Sequence, residues 1–127
     1  MAYKKKAKKV KRQVDTVIAH VKATFNNTLV TITTTDGDVL LRGSAGKLGF
    51  KGARKGTPFA AGQIATTLAK DMHVLGIKNV EIAFEGPGSG RDSVARSLQS
   101  SGLNIQKMMD VTPLPHNGTR APKKRRV

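Results

Sequence analysis

Cysteine is absent from this chain, and so is tryptophan. Without cysteine the protein can form no disulfide, no thiolate nucleophile and no cysteine-ligated zinc site, and the composition fits a reducing compartment. No apolar run approaches the ~18 residues of a membrane span. The basic start is not followed by the roughly 7 to 15 apolar residues that a secretory signal needs. The sequence therefore predicts a soluble cytosolic protein with no membrane partner.

Acidic residues are few, and they are confined to the middle of the chain. The formal net charge is +15 over 127 residues, from 23 Lys and Arg against 8 Asp and Glu. Residues 1–12 hold seven of the cations and residues 117–127 hold five, and neither segment contains an acid. Such segments are typically disordered until they meet a polyanion. We therefore predict a basic N-terminal arm (1–13), one α/β domain (14–112) and a proline-stiffened basic C-terminal arm (113–127).

Two basic arms that flank one small domain favour nucleic acid as the partner. The remaining segment of about 100 residues is large enough for a single core. Two other interpretations of the arms stay open. They could be solvated tails that keep the protein soluble, or the last six residues could be a nuclear-import signal.

The domain begins with patterns typical of strands. From Val17 to Phe25 every second residue is apolar, which is the pattern of a strand with one buried face. Asn26 and Asn27 tolerate left-handed backbone and predict a tight hairpin. The β-branched residues 28–35 and the residues 39–42 complete three predicted antiparallel strands.

Helical patterns follow. Thr57 suits an N-cap and Pro58 the first helical position. Apolar residues at helical spacing then predict a buried face made of Ala61, Ile64, Ala65, Leu68, Ala69, Met72 and Leu75. A strand over 78–85, a helix over 91–101 and a strand over 103–111 follow. The order β-β-β-α-β-α-β predicts an α/β domain around a mixed sheet.

The loop from Gly43 to Gly56 is a candidate RNA-binding surface. Its five glycines allow a backbone to approach a ligand closely, and its four cations can neutralise phosphate. Phe50 could stack on a base or anchor the loop in the core. The alternative is a mobile loop with solvated lysines. The segment lacks the spacing of a Walker phosphate-binding loop.

The turn from Gly86 to Arg91 is the second candidate. Neither register of its glycines matches a dinucleotide-binding fingerprint. Flexible backbone amides at a helix N-terminus, with Arg91 beside them, instead predict a phosphate contact.

Support for catalysis is weak. His20, His73 and His116 lie in separate predicted elements, with no metalloprotease pair and no cysteine partner. We predict no metal and no cofactor. A nuclease that uses Asp15, Glu81 or Asp110 is one alternative. An architectural nucleic-acid protein of the nucleoid or chromatin kind is the other.

Several motifs in series resemble one family. They are Phe25-Asn26-Asn27-Thr28, Gly49-Phe50-Lys51-Gly52, Thr57-Pro58-Phe59-Ala60-Ala61, Gly86-Pro87-Gly88 and the ending from Asp110 through Pro113-Leu114-Pro115-His116-Asn117-Gly118 to Val127. Together they resemble the bacterial members of the ribosomal protein S11 family of the small subunit, in order and over nearly the whole chain.

The resemblance implies a three-layer α/β/α sheet of the ribonuclease-H-like type without catalytic carboxylates, hence a protein that is not an enzyme. It implies a place on the platform of the small subunit, where the protein bridges several helices of small-subunit ribosomal RNA and helps form the Shine-Dalgarno cleft. Messenger RNA would lie nearby at the exit side. The neighbours would be the seventh and eighteenth proteins of the subunit, and the chain would not be an independent homo-oligomer.

The candidate RNA-binding residues fall into three groups. In the N-terminal arm they are Lys4, Lys5, Lys6, Lys8, Lys9, Lys11 and Arg12. In the domain they are Lys47, Lys51, Arg54, Lys55, Gly86, Gly88, Gly90 and Arg91. After the proline segment they are His116, Asn117 and Gly118, which form a predicted turn, and Arg120, Lys123, Lys124, Arg125 and Arg126.

Overall fold

The computed structural model describes residues 15–126. Its strands are β1 (Thr16–Ala23), β2 (Thr28–Thr33), β3 (Val39–Ser44), β4 (Asn79–Glu85) and β5 (Asn104–Asp110). The α-helices are α1 (Pro58–Val74) and α2 (Gly90–Ser100), and a short 3-10 helix spans Gly52–Gly56. The predicted order of strands and helices is confirmed. Within this part of the chain, no helix is long and apolar enough to cross a membrane.

The five strands form one mixed sheet in the order β3-β2-β1-β4-β5. The hairpins β1-β2 and β2-β3 are antiparallel, whereas β1-β4 and β4-β5 are parallel. Helix α2 connects the neighbouring parallel strands β4 and β5, and α1 connects β3 to β4 by crossing over β2 and β1. A meander and two crossover units therefore share a single sheet, as predicted.

One face of the sheet carries the core. Val17, Ala19 and Val21 of β1 are buried and lie level with Val80, Ile82 and Phe84 of β4. The buried faces of both α-helices pack against these strand residues and form one apolar cluster with them. The α/β architecture is consistent with the expected three-layer fold, with the described residues supplying the sheet and the helical layer on one face.

Helix α1 follows the predicted pattern closely. The Thr57 hydroxyl accepts a hydrogen bond from the Ala60 N–H (3.2 Å), and Pro58 occupies the first turn. The predicted apolar face is buried from Ala61 to Met72, whereas Leu75 lies beyond the helix and is partly exposed. The predicted inner face of α2, Val94, Ala95 and Leu98, is also buried.

The hairpin predicted at Asn26 and Asn27 is confirmed, but the strand boundary and the turn conformation differ from the prediction. Strand β1 ends at Ala23, so Phe25 belongs to the turn and is exposed rather than buried. Neither asparagine of the turn adopts left-handed backbone. A four-residue turn is closed instead by hydrogen bonds from the Thr24 N–H to the Asn27 carbonyl (2.8 Å) and from the Asn27 N–H to the Thr24 hydroxyl (3.1 Å).

Candidate nucleic-acid interface

The candidate residues of the domain converge at one end of the sheet. Because β1, β4 and β5 are parallel, their carboxyl ends share one edge, and the hairpin turn 24–27 and the turn 86–89 lie side by side there. Strand β3 ends at the same edge, since Ser44 pairs with Leu29 at the start of β2. Segment 45–57 therefore begins at this edge as well.

Hydrogen bonds join these segments. The Gly88 N–H donates to the Ala23 carbonyl (2.9 Å), and the Ser89 hydroxyl donates to the Gly56 carbonyl (3.3 Å). We call this surface the basic end. It comprises turns 24–27 and 86–89, segment 45–57, and the C-terminal arm where it leaves β5 at residue 111.

The predicted loop at the basic end is more ordered than a linker. Strand β3 extends to Ser44, and the last five residues form the 3-10 helix. Lys47, Lys51 and Arg54 are exposed, and Lys55 is half-buried. The Lys47 ammonium lies 3.5 Å from the Arg42 carbonyl oxygen. The backbone N–H of Lys47 donates to the Ser44 hydroxyl (3.2 Å). Three of the four cations thus face solvent, and Lys55 is partly covered, around a defined backbone.

Phe50 anchors this segment. Its ring is half-buried, packs against the core and meets Phe59 edge to face, with the ring centroids 6.0 Å apart. Of the two roles open for Phe50 on the sequence, the structure supports the anchor. An open cleft of 340 Å³ lies beside the ring, lined by Leu48, Gly49, Phe50, Lys51 and Arg54.

The glycines of the second turn have a structural role that the sequence did not indicate. A side chain on Gly86 would meet the Ala23 carbonyl oxygen, and one on Gly90 would meet the Thr28 hydroxyl. Gly88 is buried, and its N–H already donates to the protein. The expectation that Gly86 and Gly88 offer free backbone donors is therefore wrong, because the Gly88 N–H donates to Ala23 at the end of β1 and the Gly86 N–H donates to the Thr112 hydroxyl.

Arg91 is braced by its own protein. Its guanidinium donates to the Gly86 carbonyl (3.2 Å) and to the Asp110 carboxylate (3.0 Å), and lies 5.2 Å from the centroid of the Phe84 ring. The remaining guanidinium donors are available to a phosphate. A phosphate contact of Arg91 stays a prediction, and the structure adds a positioning role for the start of the C-terminal arm.

Asp110 and Thr112 complete this junction. The Thr112 hydroxyl donates to Asp110 (2.6 Å), and the Gly86 N–H donates to the same hydroxyl (3.1 Å). Hydrogen bonds from Thr112 side chain and backbone, followed by that from Arg91, lower the pKa of Asp110 from 3.8 to about 2. In the sequence, Asp110 and Thr112 belong to the motif at the end of the chain, and only the nuclease alternative gave Asp110 a chemical role.

The C-terminal arm leaves the domain from this junction. Residues 111–126 are exposed and contain neither helix nor strand. Asn117 has left-handed backbone (φ 65°), which agrees with the turn expected at His116, Asn117 and Gly118. The cations of this arm, Arg120, Lys123, Lys124, Arg125 and Arg126, are all exposed. The candidate cations of the N-terminal arm lie outside the described residues.

The carboxylates of the nuclease alternative do not converge. Asp15 precedes β1, whose first residue is level with Asn79, whereas Asp110 is level with Phe84 at the other end of β4. With a rise of ~3.3 Å per residue, Asp15 and Asp110 lie about 20 Å apart along the strand direction. Glu81 lies between them on the face opposite the helical core. Among the described residues, no cluster of His, Asp and Glu could hold a metal ion.

Comparison with known proteins identifies a family and a similar relative. The family described as Ribosomal protein S11 matches residues 17–126. The chain is also similar to "Small ribosomal subunit protein uS11" of Solibacter usitatus (strain Ellin6076), with 53% identity over 128 residues, covering 99% of this chain and 95% of the relative.

Proposed function

This chain belongs to the ribosomal protein S11 family, and on that premise we propose that it is a structural, RNA-binding protein of the small ribosomal subunit whose basic end contacts small-subunit ribosomal RNA. The convergence of the loop cations, the 86–91 turn and the C-terminal arm at one edge of the sheet carries this proposal. Within the described domain, the basic end then contacts RNA and the rest of the domain positions it, while the N-terminal arm would make a separate contact.

The distribution of charge along the domain supports RNA contact at the basic end. Lys47, Lys51 and Arg54 are exposed at the basic end. The opposite end carries Asp15 and the β2-β3 turn with Asp36 and Asp38. Both α-helices also begin at the basic end, so the positive ends of their dipoles add to the field that attracts phosphate.

The finer role follows the family. The protein would lie on the platform of the subunit in cytoplasmic ribosomes, bridge several RNA helices and help form the Shine-Dalgarno cleft beside messenger RNA. The seventh and eighteenth proteins of the subunit would be its neighbours. Both arms would become ordered on RNA, the C-terminal arm from the junction at Asp110. Its action would be binding rather than catalysis, with no cofactor.

Binding of the full chain to small-subunit ribosomal RNA over a range of salt concentrations tests the proposal. Interaction with ~6 to 10 phosphates should lower the affinity by roughly 10³- to 10⁵-fold between about 50 and 200 mM salt, by analogy with duplex DNA. Replacement of Lys123, Lys124, Arg125 and Arg126 by Gln should reduce the salt slope by about one unit for each phosphate that the arm no longer neutralises.

A matched control uses cations away from the basic end. Lys70 on α1 and Lys78 before β4 are exposed, and their replacement by Gln should leave the slope unchanged. A flat salt response of the natural chain would refute the proposal. Equal affinity for random duplex DNA of the same length would instead favour an architectural protein that acts outside the ribosome.

A further inference from the structure

The aromatic side chains of this protein are placed unusually for a chain with so few of them. Of its four phenylalanines only Phe84 is buried. Phe25 is 78% exposed and belongs to the basic end, and Phe59 is 67% exposed in the first turn of α1, which starts directly after segment 45–57. Covering an exposed aromatic ring with a partner is favourable, because it removes a large apolar area from water. These two rings are therefore candidates for a contact that the domain alone does not make.

Both rings are presented by ordered backbone. Phe25 lies in the hydrogen-bonded turn between β1 and β2, and its carbonyl packs so closely on Gly56 that a side chain at position 56 would collide with it. Phe59 lies in the first turn of α1, directly after the Thr57 cap, and its ring rests edge to face against Phe50. Because the backbone under both rings is already ordered, binding has to fix only the two side-chain torsions of each ring.

Cations accompany the two rings. Lys55 precedes Gly56, the residue that touches the Phe25 carbonyl, and Arg54 and Lys51 line the cleft beside Phe50. A stacked base must bring its phosphate with it, and a ring flanked by Lys and Arg can hold both parts of a nucleotide. A protein partner would bury these cations and would have to match them with acids. The surface favours RNA.

We propose that Phe25 and Phe59 are stacking platforms for unpaired bases, so that the basic end recognises extrahelical nucleotides as well as the phosphate backbone. The inference rests on the proposed RNA binding of this surface. It gives the protein a means to distinguish looped or bulged RNA from a continuous helix, because bases within an RNA duplex cannot reach an aromatic side chain.

Stacking and phosphate neutralisation differ in their salt dependence, and this difference provides the test. The full chain and its Phe25→Leu, Phe59→Leu and double variants are titrated with small-subunit ribosomal RNA at several salt concentrations. Each substitution should weaken binding by roughly 5- to 150-fold, the range for removal of one stacked base. The salt slope should not change, because the phosphates remain neutralised by the same cations. Lys51→Gln with Arg54→Gln should show the opposite pattern, a smaller slope.

Val74→Ser is the matched control. Val74 is 86% exposed at the far end of α1 and should have no effect on RNA affinity. Thermal unfolding of each variant shows whether the fold is retained. Unchanged affinity of the double variant would overturn the stacking proposal and leave the proposed function intact. Absence of RNA binding by the natural chain would reject both.

Two other results would also overturn the inference. One is a loss of affinity that accompanies a lower melting temperature, since the rings would then be structural. The other is normal RNA affinity of the double variant combined with poor retention in particles assembled with the other small-subunit proteins. The rings would then be a docking surface for protein.

Discussion

Arg91 in the first turn of α2 and Asp110 at the end of β5 form an ion pair of 3.0 Å. The pair lies at the point where the C-terminal arm leaves the domain. It links the turn after β4 to the strand that precedes the arm, although 19 residues separate the two partners in sequence. Both side chains are partly exposed, so the pair orients the arm more than it stabilises the fold.

Titration of Asp110 provides the first prediction. Its pKa should be about 2, and the Thr112 hydroxyl is the largest cause. Thr112→Val should therefore raise the pKa of Asp110 further than Arg91→Gln does. Because the folded-state pKa lies below the ordinary value of 3.8, any stability from this carboxylate is present above pH ~4 and is lost as the pH falls toward 2. Carboxyl-carbon NMR shifts measure the pKa directly, and a value near 3.8 in the natural chain would contradict the junction described.

Gly88 supplies a prediction about close packing. A β-carbon on Gly88 would lie 2.5 Å from the Thr24 carbonyl oxygen and 2.7 Å from the Ala23 carbonyl carbon. Both atoms are backbone and cannot move aside without disturbing the hairpin. Gly88→Ala should reduce the free energy of unfolding by about 1 to 3 kcal/mol, as measured by urea denaturation.

Gly46→Ala is the control for this prediction. The nearest atoms to a β-carbon at Gly46 are 3.9 and 4.0 Å away, and the backbone is not left-handed. Its free energy of unfolding should change by no more than about 0.5 kcal/mol. Equal effects at Gly46 and Gly88 would show that the turn does not pack on the hairpin.

The Thr57 hydroxyl has two hydrogen bonds at the start of α1. It accepts from the Ala60 N–H (3.2 Å) and donates to the Arg54 carbonyl (2.8 Å), so it ties the helix to the 3-10 helix that carries the cations. Thr57→Ala should lower the free energy of unfolding by about 1 kcal/mol, the usual cost of removing an N-cap. Thr66→Ala, which removes only a hydroxyl that bonds back to Gly62 within the same helix, should be neutral or slightly stabilising. The difference between these two threonines in urea denaturation isolates the cap.

The sequence correctly predicted those helices and strands that depend on residues close together in the chain. The cap at Thr57 and the spacing from Ala61 to Met72 depend on neighbours within a few turns, and helix α1 forms as they predict. The alternation in β1 likewise identified its buried face up to Ala23. The predicted strand end at Phe25 was wrong, because the hydrogen bonds of the turn end the strand although the alternation continues.

The interface could not be predicted in the same way, because it is formed by contacts between segments that are far apart in the chain. Gly56 and Gly88 looked like flexible glycines suited to a ligand, yet both are needed where the chain meets the hairpin turn. That meeting requires the parallel pairing of β1 with β4, which no local pattern reveals. The sequence did contain an indication that Phe59 is exposed. In a helix, Phe59 shares a face with the exposed residues Gln63 and Thr66 and not with the apolar residues.

The last prediction concerns a buried hydroxyl beneath the basic end. Thr28, the first residue of β2, is fully buried, and within the described part of the chain its hydroxyl has no hydrogen-bond partner. Gly90 lies directly against it, so a side chain at that position would collide with the hydroxyl oxygen. A polar group buried in this way costs free energy that an apolar group of equal shape does not. Thr28→Val should therefore raise the free energy of unfolding by about 1 kcal/mol.

Thr34→Val is the natural comparison for that substitution. Thr34 is buried to a similar degree, but its hydroxyl accepts a hydrogen bond from the Asp38 N–H (3.2 Å) in the turn between β2 and β3. Its replacement removes a bond that is made, so the free energy of unfolding should fall by about 0.5 to 1.5 kcal/mol. Urea denaturation of the two variants should thus give changes of opposite sign. A loss of stability in both would mean that the Thr28 hydroxyl has a partner, and the space under Gly90 would be the place to look for it.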